Sequence, residues 1–375
     1  MKQKTLLIIL LLLPLGFISA ADYSKVDKQS GNIPATLKTA PEISAYLTRN
    51  LSTPTEKVRA IYYWISHNIR YDVSQLAGVG ITYQIGERNL LNEVLQKRMG
   101  VCQHYAELFN ACCKSAGIKS YIISGYTKMD GKIADLPHAW NVVIIDGKYY
   151  EIDATWASGY LDNGKFTAQF TDIYFMIPPA EFIKTHIPFD PVWQFLDNPI
   201  SNKEVEANDF SKLKTPSNFN FADSIKTIAG LDSLNVLVRE NKRIRDNGLT
   251  NDLLRERVSQ NQQNIVNMKY NLAVAEVNKA VESYNIYVTN KNKQFNGTTM
   301  EVAKILDLLS SARNFTEAAE NRIRFLNSDN ATIIRNISDI QVAINQLKKN
   351  IDTEDAFMKK YVSTWKPFRM LLFMR

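Results

Sequence analysis

The sequence predicts an α+β domain followed by an all-α region, and two observations carry this prediction. In the first half, a helix-forming segment that opens at Cys102 precedes two apolar, aromatic-rich runs joined by Asp146-Gly147. Apolar runs on either side of Asp-Gly are the strongest short-range signal for a β-hairpin. In the second half, apolar residues recur at intervals of three and four along three long segments. This pattern is typical of helices packed into an antiparallel bundle or coiled coil.

The composition predicts a folded chain with more than one domain. The 375 residues are 45% hydrophobic and 22% charged, which excludes a disordered or collagen-like chain. Single hydrophobic cores rarely extend past roughly 250 residues, so the length favours two domains. We predict a signal peptide at residues 1–21, the α+β domain at 22–200, a linker at 201–222, a helical bundle at 223–363 and a basic, apolar tail at 364–375.

The first residues have the pattern of a secretory signal peptide. Lys2 and Lys4 precede an apolar run from Leu6 to Phe17, and small residues follow it. The run is shorter than the roughly 18–20 apolar residues that a membrane-spanning helix needs. We therefore expect cleavage near Ala20 or Ala21 and a protein that is exported to the periplasm or the cell exterior.

The net charge of +7 is unevenly distributed along the chain. Residues 1–21 carry +2, residues 22–200 carry −1 and residues 201–375 carry +6. Because the surplus belongs to the leader and the helical half, the basic balance does not indicate a nucleic-acid partner. The tail mixes basic and large apolar residues, which leaves three interpretations open: a peripheral membrane contact, a partner groove, or a segment folded onto the bundle. The helical stripes also allow a protein partner or self-association.

The three cysteines have different predicted roles. Cys112 and Cys113 fall on a helix predicted over residues 103–116 and ended by Gly117, and their surroundings indicate buried core thiols. Cys102 lies about 15 Å away along the helix axis, beyond disulfide reach. It follows Gly100 at the start of the helix, where unpaired N–H groups and the helix dipole stabilise a thiolate. Cys102 is therefore the candidate nucleophile.

The hairpin supplies partners for this thiol. With Asp146-Gly147 as a two-residue loop, the register places Trp140 opposite Asp153 and makes His138 the diagonal neighbour of Asp153 on the same face. A carboxylate beside an imidazole fixes the tautomer and stabilises the imidazolium, so Cys102, His138 and Asp153 form a nucleophile, base and orienter. No Cys/His pair has the spacing of a metal site, and we expect no metal and no cofactor.

Three motifs occur in order along the chain: Gly100-Val101-Cys102-Gln103, His138-Ala139-Trp140-Asn141 and Asp153-Ala154-Thr155-Trp156. Together they resemble the core of the transglutaminase-like superfamily, in particular its bacterial and kyphoscoliosis-peptidase-like branch. The resemblance covers roughly residues 40–200. It implies a papain-like α+β fold, in which the helix that carries the nucleophile packs against an antiparallel sheet that carries the His and the Asp.

The resemblance also implies residue roles. Cys102 would be the nucleophile, His138 the general base and then acid, and Asp153 the orienter. The backbone N–H of Cys102 would be the first oxyanion donor. The second oxyanion donor is left open among three side chains: Gln96, Gln103 and Trp64. Three other side chains are candidates for the substrate cleft: His104, Trp140 and Trp156.

The function that follows is an exported, cysteine-dependent acyl-transfer enzyme acting on amide bonds of peptides or proteins. Hydrolysis by a peptidase or amidase is favoured over crosslinking, because many members of the superfamily hydrolyse amides. The alternative is a catalytically silent domain that binds peptides, while the helical region holds protein partners at the cell envelope. The reactivity of Cys102 toward an alkylating reagent distinguishes the two.

Overall fold

The computed structural model describes residues 22–75, 89–215, 219–296, 301–328 and 330–374, so the predicted signal peptide lies outside the described residues. The helices in this part of the chain are α1 (Ser24–Ser30), α2 (Ala40–Thr48), α3 (Pro54–Asn68), α4 (Leu90–Lys97), α5 (Cys102–Ser115), α6 (Ala154–Ser158), α7 (Pro179–Phe182), α8 (Asn202–Glu206), α9 (Phe221–Ala229), α10 (Ser233–Asn247), α11 (Asp252–Asn292), α12 (Val302–Ile323) and α13 (Ala331–Ser363). The strands are β1 (Arg70–Tyr71), β2 (Met99–Gly100), β3 (Lys119–Met129), β4 (Lys132–Ile133), β5 (His138–Ile145), β6 (Lys148–Ile152), β7 (Gly159–Asp162), β8 (Lys165–Ala168) and β9 (His186–Pro188).

The described residues divide into two compact units. The first comprises those within Met1–Gly80, Gln84–Ser124 and His138–Phe182, and the second comprises those within Gly125–Pro137 and Ile183–Arg375. The division falls inside β3, between Ser124 and Gly125.

In the first unit, helix α3 is fixed at its start by reciprocal capping. The Thr53 hydroxyl accepts a hydrogen bond from the Glu56 N–H at 3.2 Å, and the Glu56 carboxylate accepts one from the Thr53 N–H at 3.0 Å. Pro54 stands at the first helical position, where its missing N–H costs nothing. Apolar side chains of α3 and α5 are buried in one core, which holds the cysteine-bearing helix in place; they include Val58, Ile61, Trp64, Ile65, Leu108 and Phe109.

The predicted hairpin is confirmed. Strands β5 and β6 pair antiparallel, with Ile145 opposite Lys148 and the register running to Asn141 opposite Ile152. Asp146 and Gly147 both have positive φ, 51° and 74°, as a tight hairpin turn with the native strand twist requires. In this unit β5 lies between β3 and β6, and α5 packs on β5.

The papain-like arrangement predicted from the sequence is thereby confirmed: the helix that begins at Cys102 packs on the sheet, His138 opens β5, and Asp153 directly follows the end of β6. The helix predicted over 103–116 is also confirmed as α5, and Gly117 follows it with φ 74°. Cys112 and Cys113 are free and fully buried in the core, as predicted.

The second unit begins with an irregular part. The remainder of β3 pairs antiparallel with β4 and with β9. The stretch predicted as a linker contains α8 and a turn of 3₁₀ helix at Ser211–Lys214. A reciprocal cap explains α8, because the Glu204 carboxylate accepts from the Ser201 N–H at 2.8 Å while the Ser201 hydroxyl accepts from the Glu204 N–H at 3.3 Å. The Ser-x-x-Glu spacing is the sequence pattern that indicates this capped helix, whereas the polar composition of the stretch favours a linker.

Three long helices form the predicted bundle. Helix α12 runs antiparallel to α11 and α13, because successive buried layers ascend along α11 and α13 and descend along α12. The layers are Ala273, Ala319, Ile323, Ile340 and Ile344; then Ala280, Ala312, Leu347 and Ile351; then Tyr287, Ile305, Leu309 and Met358. Small alanines face large aliphatic side chains in the first two layers, which lets the helices approach closely. In the described part of the chain, none of the helices is both long enough and apolar enough to cross a membrane.

Candidate active site

Cys102 is the first residue of α5, and the residue is 3% exposed. It packs in a small apolar cluster with Ala106, Ala139 and Ile122. The helix geometry places its backbone N–H among the first N–H groups of α5, which have no partner within the helix. The position therefore combines a buried thiol with backbone donors that can face a developing negative charge.

His138 and Asp153 are brought together by the hairpin. Atom Nε2 of His138 lies 2.7 Å from Oδ2 of Asp153, and both side chains are buried. The other oxygen, Oδ1, accepts from the N–H groups of Thr155 at 2.8 Å and Trp156 at 3.1 Å, so Asp153 also caps α6. Both carboxylate oxygens are thus held. With Nε2 on the carboxylate, Nδ1 is the ring nitrogen left for Cys102.

The electrostatics favour a charged imidazole. Burial alone lowers the pKa of His138, but the Asp153 charge and hydrogen bond, together with a hydrogen bond and charge interaction with Cys102, raise it to about 10. These three side chains therefore interact directly, in the chain order that the sequence predicted. The arrangement can move a proton between sulfur and imidazole while the carboxylate holds the ring.

Two tryptophans lie beside the imidazole. The Trp140 ring stacks near His138, with centroids 6.1 Å apart and planes at 23°, and the Trp156 ring lies at 5.5 Å. Trp140 is buried, and its indole N–H donates to the Glu151 carboxyl at 2.8 Å, whereas Trp156 is half-buried. Of the two, Trp156 has the exposure that a substrate contact requires, and Trp140 supports the ring of His138 from inside.

The remaining candidates take different positions. His104 is 2% exposed, and its Nδ1 accepts from the Val101 N–H at 3.2 Å, so the ring helps to cap the helix that carries Cys102. The Gln103 amide donates to Glu107 at 3.3 Å, along the helix, and Gln96 is exposed on α4. The structure thus brings His104 and Gln103 to the start of α5, in contact with the helix itself. Trp64 is buried in the core, under the guanidinium of Arg98.

Two neighbours of the site were missed from the sequence. Tyr71 in β1 is opposite Gly100 in the parallel β1–β2 pair, and burial raises the pKa of its phenol, with Cys102 contributing. The backbone carbonyl of Tyr174 accepts from the Asp153 N–H at 3.1 Å. Tyr71 is identified by the pairing of β1 with β2, and Tyr174 by a loop contact with a residue more than twenty positions earlier. Neither contact corresponds to a local motif in the sequence.

Comparisons with known proteins agree with this geometry. The sequence model described as "Transglutaminase-like superfamily" matches residues 41–154, which include all three site residues. Residues 41–154 form a transglutaminase-like domain. The chain is also similar to the human kyphoscoliosis peptidase, 33% identical over 181 residues, which are 46% of this chain and 26% of that protein. The mouse kyphoscoliosis peptidase is 31% identical over 201 residues, 51% of this chain and 29% of that protein.

A solved structure shares a likeness with less than half of the chain. A crystal structure of a TGase matches 43% of this chain and 38% of its own chain, with 20% identity and a TM-score of 0.26. The chain spans about a quarter of the length of the two curated relatives. This part of the chain is thus similar to transglutaminase-like and kyphoscoliosis-peptidase sequences, as its motifs predicted.

Proposed function

We propose that the chain is a cysteine-dependent amidase or peptidase that cleaves amide bonds of peptides or proteins through a thioester on Cys102. The observation that carries the proposal is the buried contact of His138 with Asp153 at 2.7 Å, combined with the hydrogen bond between His138 and Cys102. This is the set of groups that nucleophilic acyl transfer requires.

The reaction would proceed in two halves. Cys102 gives its proton to His138, and the sulfur attacks the amide carbonyl, so a C–S bond forms and negative charge develops on the oxygen. The backbone N–H of Cys102 is placed to stabilise that oxygen. The C–N bond then breaks as His138 protonates the departing amine. Water attacks the resulting thioester and gives a proton to His138, the C–S bond breaks, and the carboxylic acid leaves with the thiol restored.

Asp153 acts without changing its protonation state. Its Oδ2 holds the imidazole, and its Oδ1 is held by two backbone N–H groups of α6. Replacement by Asn would keep the shape and lose the charge, and in a comparable triad this lowers kcat about 10⁴-fold. A second amine in place of water would turn hydrolysis into crosslinking, and the same residues would serve both reactions.

Alkylation with iodoacetamide near neutral pH tests the nucleophile, because the chain holds its own controls. Cys112 and Cys113 are fully buried, and burial raises the pKa of Cys112 to about 12 and that of Cys113 well above its usual range. We expect peptide mapping to find the label on Cys102 alone. His138→Ala should slow this labelling, whereas His67→Ala, an exposed histidine of α3, should not.

The result that contradicts the proposal is labelling of Cys102 only after denaturation. That outcome would favour the catalytically silent, peptide-binding alternative. If Cys102 is reactive, incubation of a peptide mixture with a fluorescent primary amine separates the two acyl acceptors. Released carboxyl termini support hydrolysis, and incorporated amine supports crosslinking.

Export is a separate part of the proposal and is supported by the leader pattern of residues 1–21. Expression in a secreting host followed by intact mass measurement tests it. A mature chain that begins near Asp22 in the exported fraction is the expected result. A full-length chain retained with the cytosol would contradict export without affecting the chemistry of Cys102.

A further inference from the structure

A short 3₁₀ helix, Lys366–Phe373, follows α13 in the second unit and presents an apolar stripe to solvent. In a 3₁₀ helix the side chains at i and i+3 lie above one another. Residues at this spacing from 365 are large, apolar and exposed: Trp365 71%, Phe368 52%, Leu371 56% and Met374 78%. We call these four side chains the apolar stripe.

The opposite side of this helix is attached to the bundle. The Phe373 ring packs against Phe295, Phe357 and Tyr361, with centroids 5.8, 5.4 and 6.0 Å apart. The guanidinium of Arg369 lies 4.8 Å from the centroid of the Tyr361 ring, and its Nε donates to the Thr364 carbonyl at 3.0 Å. These contacts fix the rotation of the helix about its axis, so the apolar stripe faces solvent.

The surroundings of the stripe are cationic. After Asp355 the sequence contains five basic residues and no acidic one, namely Lys359, Lys360, Lys366, Arg369 and Arg375. Lys359, Lys360 and Lys366 are exposed. A single exposed apolar side chain is common on a protein surface, but four aligned ones flanked only by basic residues are uncommon.

We propose that the apolar stripe and its neighbouring lysines form a docking surface for an anionic lipid bilayer. Trp and Phe beside Lys and Arg, on a helix too short to span, are the composition of a segment that lies at the membrane interface. The charge complementarity favours negatively charged headgroups, and their attraction to the lysines decreases with salt. The surface does not involve Cys102, so this inference stands apart from the proposed catalysis.

Vesicle flotation of the full mature chain tests the surface. We expect the protein to float with vesicles of phosphatidylcholine and phosphatidylglycerol, less so at high salt, and not with phosphatidylcholine alone. Trp365→Ser combined with Phe368→Ser should lower the partition coefficient about tenfold or more. The matched control is Ile334→Ser with Val342→Ser, which removes two similarly exposed apolar side chains from α13 and should float as the wild type does.

A second variant protects the test against misfolding. Leu371→Ser with Met374→Ser removes the other half of the stripe, and far-ultraviolet circular dichroism checks that both stripe variants retain their helices. Replacement of Lys359, Lys360 and Lys366 by Gln should weaken binding to anionic vesicles and reduce its salt dependence.

Three results would overturn the proposal. The wild type could fail to float, it could float equally with neutral vesicles, or folded stripe variants could float as well as the wild type. Sedimentation equilibrium without lipid provides a fourth check. A wild-type dimer that the stripe variants lose, together with absence of flotation, would assign the stripe to self-association instead.

Discussion

Gly100→Ala gives a direct test of how the helix of Cys102 is positioned. A Cβ at residue 100 would lie 2.5 Å from Cβ of His104, 2.6 Å from Cγ and 3.0 Å from Nδ1. Ordinary carbon contacts are about 3.5–4 Å, so the overlap approaches 1 Å on side-chain atoms next to the backbone. The carbonyl of Gly100 also accepts from the Asp72 N–H at 3.0 Å, which holds the glycine in place.

The magnitude follows from these contacts. The His104 ring is buried, accepts from the Val101 N–H, and has its Nε2 3.7 Å from the Glu93 carboxylate, so it has little freedom to retreat. Overpacking of this kind costs about 1–3 kcal/mol. Loss of a helix cap adds about 1 kcal/mol. We therefore expect Gly100→Ala to lower the free energy of unfolding by about 2–4 kcal/mol, at about 2–4 °C of Tm for each kcal/mol in a domain of this size.

A double-mutant cycle on the full chain identifies the cause. In the His104→Gly background the colliding atoms are gone, and Gly100→Ala should cost little. In the His104→Ala background the Cβ at 2.5 Å remains, and the cost should persist in part. Gly31→Ala is the matched control, because its new Cβ would meet only the Asp27 carbonyl at an ordinary 3.7 Å. Thermal unfolding and the alkylation rate of Cys102 are the readouts. An equal cost of Gly100→Ala in the wild-type and His104→Gly backgrounds would refute this reasoning.

Three further predictions concern ionisable groups of the first unit. Burial lowers the pKa of His138, but the interaction with Asp153 outweighs it, and the pKa is raised to about 10. The pair therefore contributes its full stabilisation below pH 6.5, and this contribution is lost as the pH rises toward 10. Because Cys102 also raises this pKa, Asp153→Asn should weaken that dependence and lower the pKa of the imidazole in an NMR titration; an unchanged pKa would contradict it. Arg59→Met removes the buried partner of the Asp27 and Asp172 carboxylates. Because both carboxylates keep access to water, the expected cost in denaturant unfolding is about 1–3 kcal/mol, and no measurable loss would exclude that role. Burial raises the pKa of Glu151 well above its usual range, so its carboxyl is neutral and Glu151→Gln should change stability by under about 1 kcal/mol. Glu151→Ala leaves the buried Trp140 indole N–H without its acceptor and should cost about 1–3 kcal/mol. Equal effects of the two substitutions would be inconsistent with a neutral carboxyl.

The parts of the fold that the sequence predicts correctly are those with local signals. Asp146-Gly147 determines the register of its hairpin, because both residues adopt positive φ at low cost, and the register alone brings His138 beside Asp153. The position of Cys102 at a helix start follows likewise from its neighbours in sequence. The layers of the bundle follow from periodic apolar residues, which need no knowledge of distant contacts.

The parts that escape prediction depend on contacts between distant residues. His104 is predicted to line the cleft because it lies near Cys102 in the sequence, yet it is buried. Its ring fits against β2 because residue 100 is a glycine and has no side chain. Trp140 resembles a substrate contact, but its indole N–H is committed to Glu151 on the neighbouring strand. Neither fact can be read from a spacing along the chain.

A buried arginine connects the start of the described chain to the loop beside Asp153. The Arg59 guanidinium binds both oxygens of Asp27 in α1, at 2.7 and 2.6 Å, and also bonds to Asp172. Two residues beyond Asp172, the Tyr174 carbonyl accepts from the Asp153 N–H at 3.1 Å. Helix α1 is therefore a part of the domain that holds the loop next to Asp153, and cleavage near Ala21 would leave these contacts intact.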